Sequence, residues 1–195
     1  NTIVCFMSDN GGLSTSEDSP SSNLRLRGRN KELYEGGIRE PLLIRWPGKT
    51  APGATSDFPV VSMDFYPTIL EMVGLPQRRE QHLDGVSLAS LLQGKEAPKR
   101  EAIYWHYPHY SNQGGFPGAA IRIGDWKLIE RFEDGRLQLF NLAEDVGERN
   151  DLVGSEPERV RSMQEKLHAW YNEVDAKFLQ AIDGGPQPWR PTNDR

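Results

Sequence analysis

At 195 residues the chain is long enough for one domain, or one and a half, with a real core. A net charge of −5 makes no electrostatic case for nucleic acid or an anionic membrane, and no stretch is apolar over the length a bilayer span requires. One cysteine permits no internal disulfide, so redox compartment stays open. Residues 2–7 read as a buried strand: a continuous apolar run with β-branched residues, stopped by glycines. Ser8-Asp9-Asn10-Gly11-Gly12 follows at once. Ligands of open α/β sheets bind at the carboxyl ends of strands. Asp and Asn are hard oxygen donors suited to calcium or magnesium. Asx-Gly pairs also simply turn a chain, so Asp9 and Asn10 are either metal ligands or turn formers. A chain that opens inside such a motif is expected to be part of a larger protein.

Residues 13–33 are polar, rich in Ser and Arg and without periodicity, which predicts a long loop. Residues 41–46 read as a second strand ended by Pro47-Gly48. Residues 62–73 read as a helix capped by Ser62 or Asp64, with Phe65, Ile69, Met72 and Val73 on one face and Gly74 at its end. Pro67 must then lie in or near the first turn. The alternation of strand and helix points to α/β layers.

The character changes over 94–100. Four strand-like segments follow at 102–107, 119–123, 126–132 and 137–141, with Asp134-Gly135 as a hairpin turn and Gly124-Asp125 as another. Residues 156–180 carry Val160, Met163, Leu167, Trp170, Val174 and Phe178 at helical spacing, one apolar face of a long helix. The expected division is therefore 1–100, an α/β portion; 101–183, a small antiparallel sheet packed by a long C-terminal helix; and 184–195, a tail.

Two constellations stand out besides Asp9-Asn10. Basic residues from Arg25 to Arg39, broken by glycines, offer charge-assisted hydrogen bonds to an oxyanion. The alternative is a loop whose arginines pair with Glu32, Glu35 and Glu40. In Trp105-His106-Tyr107-Pro108-His109-Tyr110, His106 and His109 suit proton transfer or anion contact at the rim of a site, or else pack along an edge strand. Residues 112–118 read as a mobile loop near them. His82 and His168 read as a loop residue and a helix residue. Asp134, Glu144, Asp145 and Glu148 read as solubilising loop carboxylates rather than a second metal site. Trp170, Tyr171 and Phe178 read as core.

Ser8-Asp9-Asn10-Gly11, Leu26-Arg27-Gly28 and Tyr34-Glu35-Gly36-Gly37-Ile38-Arg39-Glu40-Pro41 resemble the C-terminal half of the arylsulfatase-type sulfatases. Arg45-Trp46-Pro47-Gly48, Asp64-Phe65-Tyr66-Pro67-Thr68, Leu83-Asp84-Gly85-Val86-Ser87-Leu88 and Gly124-Asp125-Trp126-Lys127-Leu128 extend the match in order. The resemblance implies an α/β fold, the C-terminal part of an alkaline-phosphatase-like sheet core with a small antiparallel subdomain. It implies hydrolysis of a sulfate ester with one calcium ion, Asp9 and Asn10 being two of its ligands, and the ion neutralising charge as a Lewis acid. The partners implied are a sulfated small molecule or sulfated carbohydrate, and the missing N-terminal half of the same protein. The resemblance alone also implies an exported enzyme, periplasmic, extracellular or lysosomal.

Two departures from the family pattern matter. The family's nucleophile is a formylglycine made within Cys/Ser-x-Pro-x-Arg, a motif absent here. Cys5 precedes Phe6-Met7-Ser8-Asp9 and reads as a buried small hydrophobe. The chain is thus expected to hold half a metal site and no nucleophile, and to be inactive alone. The family also places a catalytic Lys five residues before the Glu of Tyr-Glu-Gly-Gly. Asn30 occupies that position and Lys31 follows it. Lys31 reaches the sulfate if the loop adjusts by one residue, since its four-carbon stem is flexible. Otherwise Asn30 supplies a hydrogen bond without a cation. Rival readings are a phosphoester or phosphonate hydrolase of the same superfamily, and a non-catalytic binding protein on this scaffold.

Overall fold

Along the chain come β1 (Val4–Met7), α1 (Glu35–Ile38), β2 (Leu42–Arg45), a 3-10 turn (Ser62–Asp64), α2 (Phe65–Met72) and α3 (Ala89–Leu92). Then follow β3 (Ile103–Tyr107), β4 (Gly118–Ile123), β5 (Trp126–Arg131), β6 (Leu137–Asn141) and α4 (Pro157–Glu173). The computed structural model describes residues 1–12, 22–81, 84–112 and 114–191. Residues 13–21 of the expected 13–33 loop, with His82, Leu83, Gln113 and the last four residues of the tail, lie outside the described residues. The fold forms two units, one of residues 1–7 and 41–100, the other of residues 8–40 and 101–195.

In the first unit β1 and β2 pair antiparallel, Val4 opposite Arg45 and Met7 opposite Leu42. The sequence predicts β1 to be buried, and here the structure differs: all four of its residues are exposed, Phe6 at 62%. Cys5 is exposed as well, not the buried small hydrophobe expected of it. The physical reason is that a two-stranded ribbon cannot cover its own faces. The helix expected over 62–73 forms as the 3-10 turn and α2, with Pro67 in the first turn and Gly74 at φ 77° beyond the end. Its anchor is Asp64, wholly buried. The Asp64 carboxylate accepts the Val61 N–H at 3.0 Å and the Val86 N–H at 2.9 Å, and pairs with Arg100. A buried charge is tolerated when paired and hydrogen-bonded in this way.

The second unit is built on an antiparallel sheet in the order β3-β4-β5-β6. Gly124 (φ 58°) and Gly135 (φ 72°) supply the left-handed turns that Gly124-Asp125 and Asp134-Gly135 predict. Side chains alternate between the faces. Ala119, Ile121, Leu128 and Leu139 pack against Val160, Met163, Leu167 and Tyr171 of α4. On the other face Ala120, Ile129 and Phe140 pack with Leu33 and Tyr34. The loop before α1 is therefore held by the sheet face that α4 does not cover.

The Glu130 carboxylate is buried on the α4 side, where it receives Tyr171 Oη at 2.9 Å, Gln164 Nε2 at 2.9 Å and His168 Nε2 at 2.9 Å. Burial and the Glu130 charge push the Tyr171 hydroxyl far above the usual phenol range. The helix expected to reach residue 180 stops at Glu173. Asp175 takes a left-handed conformation (φ 49°) and the Ala176 N–H returns to Tyr171 O at 2.9 Å. Phe178 still reaches the core, its ring 5.0 Å from Phe132 and 5.2 Å from Tyr171. It arrives there as a returning segment, so helical spacing beyond the true end misled the boundary.

Candidate functional site

Three of the sequence strings meet through backbone contacts that only glycine allows. A Cβ on Gly37 would stand 2.2 Å from Glu32 O, one on Gly36 2.5 Å from Gly28 O, and one on Gly11 2.1 Å from Gly36 O. The Gly36 N–H donates to Arg27 O at 2.6 Å, the Gly11 N–H to Gly37 O at 3.3 Å, and the Asn30 N–H to Gly12 O at 3.5 Å. Close backbone approach is one of the few uses that require glycine. Asp9-Asn10, Asn30-Lys31 and the α1 turn are thereby held together within one unit.

Asn23, to which sequence reasoning gave no role, spans the same junction. Its Nδ2 lies 3.0 Å from Gly36 O, 3.3 Å from Gly28 O and 3.4 Å from Gly12 O. A lone Asn in a polar loop carries no pattern that would single it out.

The side chain of Glu35 leaves the α1 turn in the opposite sense, into the sheet. Glu35, Lys127 and Glu148 are all buried. Lys127 Nζ donates to Glu35 Oε1 at 2.9 Å and stands 2.9 Å from Glu148 Oε1. The second contact is not aimed along a hydrogen bond, so it is ionic in character. Glu148 Oε2 accepts the Glu35 N–H at 2.6 Å. Burial pushes the Glu148 carboxyl above the usual carboxylate range, against the pull of Lys127 and of the Glu35 N–H. Glu148 is thus no solubilising loop residue, as its sequence context implied. Nothing in composition reveals that Lys127, in a strand between two apolar residues, points inward with two partners.

Most of the basic loop is consumed by such structural pairings. The Arg27 guanidinium stacks 4.0 Å from the Tyr34 ring centre and donates to Glu148 O at 2.7 Å. Arg29 Nε pairs with Glu32 at 3.2 Å. Lys31 differs. It is exposed, its backbone is left-handed (φ 67°), and its ammonium has no ion-pair partner among the described residues. Asn30 is half-buried beside Gly12. A Cβ on Gly114 would lie 3.2 Å from Arg29 Nη2 and one on Gly115 3.0 Å from Lys31 O, so the 114–115 turn lies along this segment.

Asp9 is exposed and Asn10 half-buried, with Asn10 Nδ2 2.8 Å from Asp9 Oδ2. The neighbouring Glu40 carboxyl is raised by burial, eased by a hydrogen bond with Ser8 and raised again by the Asp9 charge. Among the described residues no group of three or more His, Cys, Asp or Glu gathers as a metal cluster. Asp9 and Asn10 carry side-chain oxygens of the kind a calcium shell of about six to eight oxygens takes.

The two histidines are not brought together. His106 lies on the α4 side of the sheet, its ring 5.2 Å from Phe132, 5.5 Å from Phe178 and 5.7 Å from Tyr171. Its Nε2 sits 2.6 Å from Lys177 O, as a donor, and its Nδ1 is buried. This surface is opposite to the one that holds Leu33 and Tyr34. His109 is exposed, its ring 5.4 Å from Tyr107, which packs with the Leu33–Tyr34 cluster.

The model of the family "N-sulphoglucosamine sulphohydrolase, C-terminal" matches residues 29–177, more than half of the chain. The chain belongs to this sulfatase family. A sulfatase of Formosa agariphila is 36% identical over 87% of this chain and 33% of its own length. Human arylsulfatase A is 30% identical over 95% of this chain and 40% of its own length. The solved structure of Ps i-CgsB in complex with k-i-k-neocarrahexaose is 30% identical, with a TM-score of 0.75 over 94% of this chain and 40% of that one. The chain thus spans a third to two fifths of the length of these relatives.

Gly11→Ala should break the junction, because the new methyl meets backbone rather than a movable side chain. A loss of about 1–3 kcal/mol is expected. Gly154→Ala, whose Cβ would meet nothing within 4 Å, should be nearly silent. Denaturant unfolding of the two variants checks this. A second prediction concerns pH. Burial pulls the His106 imidazole below its usual range, so the unfolded chain binds a proton there before the folded one does. The stability owed to neutral His106 is present above pH ~6.5 and lost as pH falls toward the depressed folded value. His106→Phe should flatten the fall in Tm between pH 7.5 and 5.5, measured by thermal melts; an unchanged slope contradicts the assignment.

Proposed function

We propose that the chain forms part of the active site of a calcium-dependent sulfatase whose remaining residues complete the metal shell and supply the nucleophile. The observation that supports this reading is the glycine-packed junction in which Gly11-Gly12, next in sequence to Asp9-Asn10, meets the α1 turn and the Asn30 backbone. Calcium held by Asp9 and Asn10 would supply Lewis-acid neutralisation of the sulfate oxygens. Lys31 projects from a left-handed residue with its ammonium unpaired among the described residues, and so is available to a sulfate oxygen. It would hold the anion by a charge-assisted hydrogen bond and carry a proton at Nζ for the departing alkoxide. Asn30 would donate a neutral hydrogen bond from beside Gly12. His109, on the Tyr107 side of the sheet, is the better placed of the two histidines for a substrate mouth.

The substrate class we propose is a sulfate ester carried on a carbohydrate. The support is the relative solved with k-i-k-neocarrahexaose and a second one, 27% identical, named N-acetylgalactosamine-6-O-sulfatase. The exposed apolar face of β1 is a surface suited to packing against the rest of the longer protein. In this reading the 195 residues alone turn nothing over.

The full-length protein that carries this chain should release sulfate from an aryl or sugar sulfate faster than phosphate from the matching phosphate ester. Faster phosphate release sinks the sulfatase reading, and release of neither favours a non-catalytic scaffold. Asp9→Ala should remove turnover and weaken calcium binding measured by calorimetry. Lys31→Ala should lower kcat at least about tenfold if its ammonium meets the sulfate. Loss on Asn30→Ala with Lys31→Ala unaffected would assign the contact to Asn30 instead.

A further inference from the structure

We propose that Lys127 is a positioning residue for the anion-binding segment, although it lies inside the sheet and touches no substrate; the proposal rests on the sulfatase reading of that segment. Lys127 is wholly buried on β5, and its ammonium stands 2.9 Å from a carboxylate oxygen of each of Glu35 and Glu148. Glu148 is itself held. Its backbone is left-handed (φ 49°), its carbonyl accepts Arg27 Nη1 at 2.7 Å, and its Oε2 takes the Glu35 N–H at 2.6 Å. The other oxygen of Glu35 has Arg39 at 3.7 Å and Arg122 at 3.8 Å, beyond hydrogen-bond reach. Both the side chain and the amide of Glu35 are therefore tied to the Lys127–Glu148 pair.

The other surface of the same turn carries the candidate site. Gly36 and Gly37 lie against the backbone of Arg27, Gly28, Arg29 and Glu32, and against Gly11. These contacts leave no slack: an added methyl would stand 2.1–2.6 Å from the facing oxygens. A shift of Glu35 is consequently passed to residues 29–32 and to Gly11. An apolar core of equal volume would stabilise a sheet as well as a buried ion pair does. What the ionic arrangement adds is a single orientation of Glu35, since a buried carboxylate must keep its oxygen on the one ammonium within hydrogen-bond reach or be left unpaired out of water. Misplacement of a reacting group by about 1 Å costs on the order of a hundredfold in rate.

The test uses the full-length protein with Lys127→Met/Glu148→Gln, which removes a buried cation together with one of its two anions. The readouts are kcat and KM per folded molecule on a sulfate ester, and amide hydrogen exchange over residues 29–37. We expect cooperative unfolding to persist, kcat to fall at least about tenfold with a smaller change in KM, and exchange at Gly36 and Gly37 to quicken. Unchanged kcat per folded molecule overturns the proposal, because a merely structural pair would lower stability alone. A fall in kcat with unchanged exchange overturns it too, since the turn would not have moved. If the double variant does not fold, Lys127→Arg, which keeps the cation and alters its reach, is read in the same way. If the unaltered protein releases no sulfate, it is the sulfatase reading that fails; the exchange arm then decides by itself whether Lys127 holds the segment.

Discussion

The placement of the candidate site depends on one buried ammonium, Lys127, held between Glu35 and Glu148. Breaking such a pair from one side costs about 3–5 kcal/mol, because it strands a charge in a medium that cannot solvate it. The cluster carries one cation and two anions, with Arg39 and Arg122 at the edge of ionic reach of Glu35. It joins Tyr-Glu-Gly-Gly to Gly-Asp-Trp-Lys-Leu, strings about ninety residues apart in sequence. On one side of the α1 turn is this ionic tie; on the other is glycine backbone packed at the limit of contact. Asp9-Asn10 and Asn30-Lys31 inherit their positions from the two together.

The sheet of the second unit separates two kinds of polar chemistry. On the α4 side, Glu130 gathers Tyr171, Gln164 and His168 and ties helix to strand. His106 belongs to that side, in an aromatic enclosure closed by Phe178. On the far side lie Leu33, Tyr34 and the loop that carries Lys31. The period-two alternation of the strands decides this assignment, so neighbours in sequence such as His106 and Tyr107 serve opposite faces.

Much of the fold was legible because its signals are local. Strand turns at Gly124-Asp125 and Asp134-Gly135, the start of α4 at Pro157 and the heptad-like stripe of Val160, Met163 and Leu167 each rest on a few adjacent residues. The misreadings have physical causes. The apolar run of β1 reads as buried, yet among the described residues β2 is its only strand partner. The spacing of Phe178 suits a helix, yet Asp175 turns the chain and returns it to the core. In the site, the motif residues were visible, but their supports were not. Asn23, Lys127 and Glu148 act through long-range contacts, and no local pattern distinguishes a loop Glu that is buried from one that is solvated.

The calcium and sulfate assignments are tested most directly by a crystal structure of the full-length protein with calcium and a slowly turned-over sulfate ester. Asp9 and Asn10 side-chain oxygens are expected on the ion, at about 2.3–2.6 Å. Lys31 Nζ or Asn30 Nδ2 is expected within hydrogen-bond distance of the sulfate, with Lys127 still buried between Glu35 and Glu148. A metal bound away from Asp9-Asn10, or a sulfate seated beyond the reach of residues 29–32, would contradict these assignments.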